Sequence, residues 1–288
     1  MKVGWLIDAE MFPNYCNDLE TAIEQQGHTA HLVDAPKPPY RWDDVQDSYR
    51  HEFPAGSCVV AHGDIELITR IGRDEHWTPG VFATVENYHC TSYFPHFGQY
   101  LLNSDYTMLP FGELLRQQDF LFNSFGNSGQ VFVRPDSPLK LFAGQLAKRD
   151  NFAADVEFMG FYEFPLSSLV VVSSPKSIAY EWRFVVADRR VVAGCQYVAG
   201  NEHVFSAEYP SAARELADEV AANEFQPDPV WIIDICQTTE GDYRLLEIGG
   251  FSFANLYACN MTDVVSAVSQ TARRVWEEQQ SASVKDEA

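Results

Sequence analysis

Neither of the two familiar phosphate-binding loops occurs in this chain. No Gly-x-Gly-x-x-Gly follows the first apolar run, and no Gly-x-x-x-x-Gly-Lys-Ser/Thr stretch occurs anywhere. A Rossmann dinucleotide site and a P-loop are therefore unsupported. The six cysteines, at 16, 58, 90, 195, 236 and 259, contain no Cys-x-x-Cys pair. They are expected to be buried free thiols of a reducing compartment, which excludes a disulfide framework and a zinc site. His28-x-x-His31 has the wrong spacing for a histidine metal site. Gly-x-Ser-x-Gly is absent too, so no nucleophile elbow is visible. Basic residues are scarce: 20 against 41 acids, a formal charge of −21. That balance argues against a nucleic-acid surface. No apolar run approaches the roughly 20 residues of a membrane span, and no signal peptide precedes the first expected strand. A soluble, cytoplasmic protein with no membrane or nucleic-acid partner is expected.

The chain has 288 residues, 46% hydrophobic and 14% aromatic, enough for a substantial core. Its most informative stretch is a pair of acidic strands, Val-Trp-Ile-Ile-Asp-Ile-Cys (230–236) and Tyr-Arg-Leu-Leu-Glu-Ile-Gly-Gly (243–250). A hairpin with Glu240-Gly241 at its tip pairs Thr239 with Asp242 and brings Asp234 opposite Glu247. Opposed residues lie roughly 5 Å apart, and like charges there repel. A cation should sit between them, and carboxylate oxygens suit magnesium or manganese. Replacing either residue by Ala should then spare the fold. The competing reading is a one-residue register slip that turns one carboxylate to solvent.

The remaining pattern alternates at first. Strands are expected at 3–7, 31–33, 58–61 and 81–84, with helices at 17–26, capped by Asn17 or Asp18 and stopped by Gly27, and at 64–71. This is an open α/β sheet. Asp8 and Glu10 read either as functional acids at a strand end or, preferably, as acids leading a helix. A proline-rich loop covers 35–41. Aromatic helices are expected near 95–102 and 111–125, then mostly strands. A final helix over 263–279 carries Val264, Val265, Val268, Ala272 and Val275 on one face. The expected domains are 1–95, 96–280 and a frayed tail at 281–288, with the boundary between 88 and 105.

In so acidic a chain the bases are informative. Arg134 ends the apolar run Val131-Phe-Val, and Lys140 follows in a Pro- and Ser-containing loop. Glu181 and Arg183 share one face of a strand; Tyr180, Trp182 and Phe184 share the other. If Asp188-Arg189 forms a hairpin tip, Arg183 faces Gly194, which leaves room for a ligand. Arginine and lysine on separate segments can clamp phosphates. The alternative is two structural ion pairs, Arg134 with Asp136 and Arg183 with Glu181.

Together these stretches resemble an ATP-grasp protein, of a divergent branch in which arginines replace some phosphate-binding lysines. The resemblance implies an N-terminal open α/β domain followed by an ATP-grasp domain of two α+β subdomains. Phe132-Val-Arg-Pro-Asp136 with Lys140 resembles the first-subdomain strand and phosphate loop. Ser167-Ser-Leu-Val-Val-Val-Ser173 resembles the hinge strand, so the backbone of Val171, Val172 and Ser173 would meet adenine. Glu181 would take the ribose hydroxyls, Arg183 a phosphate, and Asp234 and Glu247 the metal. One departure is Gly249, where the family usually has a metal-binding Asn; Asn255 or Asn260 could replace it. The implied activity is an ATP- and Mg2+- (or Mn2+-) dependent ligase. It would join a small-molecule or peptide carboxylate to an amine through an acyl phosphate, with Arg183 and Lys140 as catalytic groups. A phosphotransferase and a nucleotide-binding pseudoenzyme are the alternatives, the latter favoured by Gly249. A homodimer is left open.

Overall fold

Three sheets organise the protein, described by a computed structural model over residues 1–34, 48–162 and 164–286. The first is parallel, ordered β2-β1-β3-β4 from β1 (Gly4–Asp8), β2 (Thr29–Val33), β3 (Cys58–His62) and β4 (Thr78–Gly80). β1 and β3 are continuous apolar runs because both faces are covered, as parallel sheets require. α1 (Cys16–Gln25) ends at Gly27, whose φ of +76° only glycine adopts at no cost. α2 (Ile65–Asp74) starts where expected, because Asp64 accepts the Leu67 N–H at 2.8 Å. Asp8 and Glu10 do not lead a helix: α1 begins at Cys16, and Asp8 Oδ1 instead accepts the Glu10 and Met11 N–H groups, both at 3.1 Å. No side chain caps α1, and its N-cap is Tyr15. The proline-rich loop over 35–41 lies outside the described residues.

Two expected elements are displaced, each because a distant segment claims the backbone. The fourth strand is Thr78–Gly80, not 81–84: Phe82 exchanges hydrogen bonds with Ser252 instead of extending the sheet. The helix near 95–102 is α3 (Cys90–Phe97), because the chain turns at 98–103, where Tyr100 and Leu102 bond Leu245. The 111–125 helix shrinks to α4 (Gln118–Ser124), since the Phe111 and Gly112 N–H groups pair with Ser168 and Leu166.

The second sheet is antiparallel, ordered β5-β8-β6-β7 from β5 (Tyr106–Pro110), β6 (Gln130–Pro135), β7 (Gln145–Lys148) and β8 (Leu169–Ser173). α5 (Phe152–Met159) packs on it with Val131, Val133, Val170 and Val172. The third, also antiparallel, is ordered β11-β10-β9-β12-β13 from β9 (Ile178–Ala187), β10 (Arg190–Ala199), β11 (Glu202–Ser206), β12 (Val230–Thr238) and β13 (Tyr243–Gly250). α6 (Ser211–Ala221) covers one face. β5, α5 and α6 were not anticipated from the sequence.

α7 (Met261–Asp286) joins the parts. It exceeds the expected 263–279 and takes in residues 281–286. Val264, Val265, Val268 and Ala272 are fully buried, in the same apolar cluster as Trp5 and Ile7 of β1, Val185 of β9 and Ile232 of β12. Trp5 Nε1 also donates to Ser269 Oγ at 3.1 Å. One core thus fixes the parallel sheet against the five-stranded sheet, which sets the walls of the cleft between them.

Candidate nucleotide and metal site

A cavity of about 570 Å³ opens where the three sheets meet. Arg134, Lys140, Glu181, Arg183, Asp234, Glu247 and Asn255 all line it, as do Met11 and Phe12 of the N-terminal unit. The structure therefore brings together every charged residue to which the resemblance assigns a role, while Asp8, Glu10 and Asp136 lie outside the lining.

The hairpin register pairs Asp234 with Glu247, so the slipped register is excluded. The route differs from the expected one. Near the turn, Gln237 pairs with Tyr243, Cys236 with Arg244 and Ile235 with Leu245, one residue off the expected register. An irregularity at Leu246 then restores it, as a β-bulge does when two residues oppose one. The tip is closed by Gly241 N–H to Thr238 carbonyl at 2.9 Å, with Gly241 at φ +96°.

Arg183 stands on the other side of Asp234. Cys195, Arg183, Asp234 and Glu247 form one cross-strand row over β10, β9, β12 and β13. Arg183 Nε and Nη2 donate to the two Asp234 oxygens at 2.8 and 2.6 Å, and Nη1 donates to the Asn255 carbonyl at 2.7 Å. Its guanidinium lies 5.0 Å from the Tyr257 ring centre and 5.4 Å from that of Tyr197, two rings stacked at 4.9 Å. Burial disfavours its charge, but Asp234 holds it protonated, well above the ordinary range. Arg134 reaches across from the second sheet, donating to Glu247 Oε2 at 3.2 Å. The repulsion between the opposed carboxylates is thus offset in part by two guanidiniums of the chain itself.

Neither alternative ion pair forms. Asp136 accepts from the Thr91 N–H at 2.7 Å and contacts His89 Nδ1 at 2.7 Å, not Arg134. Glu181 is hydrogen-bonded to Tyr197, and burial raises its carboxyl above the usual range. Gly194 does not make room beside Arg183. The Asp188-Arg189 tip is as expected, but an irregularity at Val192 shifts the register, so Arg183 faces Cys195 and Gly194 faces Phe184. A Cβ at Gly194 would meet Phe184 Cδ1 at 2.4 Å. That glycine admits a core ring. Val171, Val172 and Ser173 lie outside the cavity lining, and their strand is paired on both sides, by β5 and β6. Their backbone groups are committed to the sheet.

Oxygen donors for a divalent cation border the cavity but are partly engaged. Both Asp234 oxygens accept from Arg183. Glu247 gives one oxygen to Arg134 and its side chain is 37% exposed. Asn255 Oδ1 accepts the Tyr257 N–H at 2.8 Å, and Gly249 brings no side chain; Asn260 lies outside the lining, its Oδ1 accepting N–H groups of Thr262 and Asp263. Among the described residues no three His, Cys, Asp or Glu side chains gather as a metal cage. This set fits one hard cation completed by phosphate oxygens and water, and does not fit a cage built by protein alone.

Tyr197 and Tyr257 were not anticipated. Tyr197 sits at a second irregularity of β10, and Tyr257 has φ +47°, a conformation that bulky residues rarely adopt. Neither signal is periodic.

This architecture is the ATP-grasp fold, with an open α/β unit ahead of it. Residues 117–267, just over half of the chain, match the model of the ATP-grasp domain, R2K clade family 2, and the chain belongs to that family. D-cycloserine synthetase DcsG superposes with a TM-score of 0.62 at 13% identity, covering 94% of this chain and 100% of that one. D-alanyl-alanine synthetase A from Vibrio cholerae gives 0.61 at 13%, covering 96% and 98%. The ATP-grasp ligase PsnB complexed with minimal precursor gives 0.55 at 13%, covering 94% and 100%. At these identities the likeness is one of fold. No curated protein matches the chain. No helix among the described residues is long and apolar enough to cross a membrane.

Proposed function

We propose that the protein is an ATP-dependent ligase that joins a carboxylate to an amine through an acyl phosphate, releasing ADP and phosphate. One observation carries this reading. Three bases from three segments, Arg134, Lys140 and Arg183, and the opposed Asp234 and Glu247 surround one cavity between the N-terminal unit and the two antiparallel sheets. Bases suit phosphate oxygens, and the carboxylates would hold Mg2+ or Mn2+, which neutralises phosphate charge when bound. Glu181 would accept from the ribose hydroxyls. Lys140 is held at φ +52°, a costly conformation of the kind found at ligand clamps. Such a site works by positioning and charge neutralisation. The acceptor carboxylate would enter from the side of Met11 and Phe12. The names of two fold neighbours, a D-alanyl-alanine synthetase and a ligase solved with a precursor, support an amino acid or peptide as substrate class. Residues 1–95 would serve as the substrate-side unit and 96–280 as the nucleotide-binding unit.

A second reading, a nucleotide-binding pseudoenzyme, is favoured by two features: Gly249 offers no side-chain ligand, and Arg183 engages both Asp234 oxygens. Turnover with a panel of carboxylates and amines separates the two. The ligase yields ADP and orthophosphate, and an 18O-labelled carboxylate passes one label to the phosphate. AMP and pyrophosphate, or label kept wholly in the product, contradict the acyl phosphate. A stable phosphorylated product indicates a phosphotransferase. Mg·ATP binding with no turnover across the panel indicates the pseudoenzyme.

A further inference from the structure

Two thiols meet beneath Arg183. Cys195, its cross-strand neighbour on β10, and Cys259, 64 residues further on, have their Sγ atoms 3.4 Å apart. Both are buried. Cys259 closes the segment that grips Arg183: the Asn255 carbonyl accepts from Nη1 and the Tyr257 ring lies against the guanidinium. Within that segment the Cys259 N–H bonds the Leu256 carbonyl at 3.0 Å, and the Cys195 thiol approaches the same oxygen at 3.6 Å. The other four cysteines are also free and buried, and they stand in no such contact with another thiol.

We infer that Cys195 and Cys259 are a redox modification site that closes reversibly to a disulfide, and that closure weakens nucleotide binding at Arg183. The second half rests on the nucleotide reading above; the first does not. A disulfide bond is about 2.05 Å long, so the sulfurs must approach by roughly 1.3 Å. Cys259 must carry that movement towards a strand fixed on both sides, and it draws the 255–257 segment with it. Tyr257, already at φ +47°, has little freedom to absorb the shift, so the carbonyl and ring contacts to Arg183 are lost or misplaced.

The chemistry needs a two-electron acceptor, for which a hydroperoxide suffices. The Cys195 thiolate attacks the peroxide, the O–O bond breaks, and a sulfenic acid forms while an alcohol or water leaves. The Cys259 sulfur then attacks the Cys195 sulfur, the S–O bond breaks, and water departs with the Cys259 proton. Two thiols and one hydroperoxide thus give one disulfide, one alcohol and one water. The order follows from the thiol hydrogen bond that Cys259 donates to Cys195, which lowers the Cys195 thiol below its ordinary value, with Arg183 adding to the effect. Burial instead pushes Cys58 and Cys236 up to about 11 and about 12, which marks them as unreactive internal controls.

The test uses the full chain. Reduced protein is treated with hydrogen peroxide, denatured, alkylated and mapped by peptide mass spectrometry. The expected result is one linked pair of peptides containing Cys195 and Cys259, lighter by two hydrogens and released by dithiothreitol, with Cys58 and Cys236 alkylated. Alkylation of both Cys195 and Cys259, or their oxidation to sulfinic acids without a link, overturns the inference. Cys259→Ser should leave a dimedone-reactive sulfenic acid on Cys195; the wild-type mapping stands if that variant does not fold. Calorimetry on the oxidised protein should then show ATP weakened about tenfold, the loss of one charge-assisted hydrogen bond, with recovery on reduction. Equal affinity in both states overturns the coupling. Reduced protein that binds no ATP defeats the nucleotide reading, while the mapping still decides the disulfide.

Discussion

Arg183 takes both oxygens of Asp234, at 2.8 and 2.6 Å, from the neighbouring strand of the same sheet. That fork changes what the opposed carboxylates mean. Read from the hairpin alone, Asp234 and Glu247 are a repulsive pair awaiting a metal. In the fold, Asp234 is the buried partner of a buried guanidinium, and Glu247, more exposed, is met by Arg134.

The consequence for stability reverses the expectation that Ala at either position spares the fold. Asp234→Ala leaves Arg183 buried without its partner, a loss of about 3–5 kcal/mol in unfolding free energy. Glu247→Ala should cost less, about 1–3 kcal/mol, because Glu247 is itself partly exposed while the Arg134 it leaves is nearly as buried as Arg183. Urea denaturation of the two variants beside wild type checks this. Equal losses for both would show that the fork contributes nothing particular.

Gly194→Ala separates a packing glycine from one that makes room for a ligand. The added Cβ strikes Phe184 in the core, and overpacking costs about 1–3 kcal/mol. ATP affinity of the folded fraction should be unchanged. A lower melting temperature with unchanged affinity is the expected pair of results. Weakened ATP with intact stability would restore the ligand-space reading.

His62 makes stability depend on acid. It is fully buried, contacts the Tyr15 hydroxyl at 2.9 Å, and burial pushes its imidazole down to about 3 from the ordinary 6.5. The unfolded chain therefore binds one more proton than the fold between pH 6.5 and 3. The stabilisation is fully present above about pH 6.5 and falls by up to roughly 1.4 kcal/mol per unit as pH drops through that window. Unfolding free energies of wild type and His62→Phe, measured at several pH values from 7 to 4, should differ in slope by about one proton. Parallel curves would mean His62 titrates normally in the fold.

What the sequence disclosed follows from where the forces act. Asp64 announces α2 because a cap is local, and the Val264, Val265, Val268, Ala272 stripe announces α7 because its period is 3.6. A tip at Glu240-Gly241 predicts the Asp234–Glu247 pairing from a register one residue off near the turn, which the irregularity at Leu246 cancels. Where no such cancellation occurs, at Val192, counting from the Asp188-Arg189 tip pairs Arg183 with Gly194 instead of Cys195. Bulges leave no simple pattern, and they decide which side chains meet. The displaced β4 and α3 fail for another reason: Ser252 and Leu245, about 170 and 145 residues away, claim their backbone. The stack of Tyr197 and Tyr257 on Arg183 joins both causes, an irregular strand and a residue at positive φ.

The central claim is that the cavity binds Mg·ATP through its bases, with Arg183 offering the two N–H groups that Asp234 and Asn255 leave free. Isothermal titration calorimetry of wild type and Arg183→Lys with ATP in Mg2+, and with adenosine, tests it most directly. The account predicts saturable binding of one ATP per chain, weakened about tenfold or more in Arg183→Lys, because charge-assisted bonds are worth roughly 1.5–3 kcal/mol and an ammonium cannot hold Asp234 bidentately while offering further N–H groups to phosphate; adenosine binding should barely differ between the two proteins. No ATP binding by wild type, or an equal loss for ATP and adenosine, would contradict it.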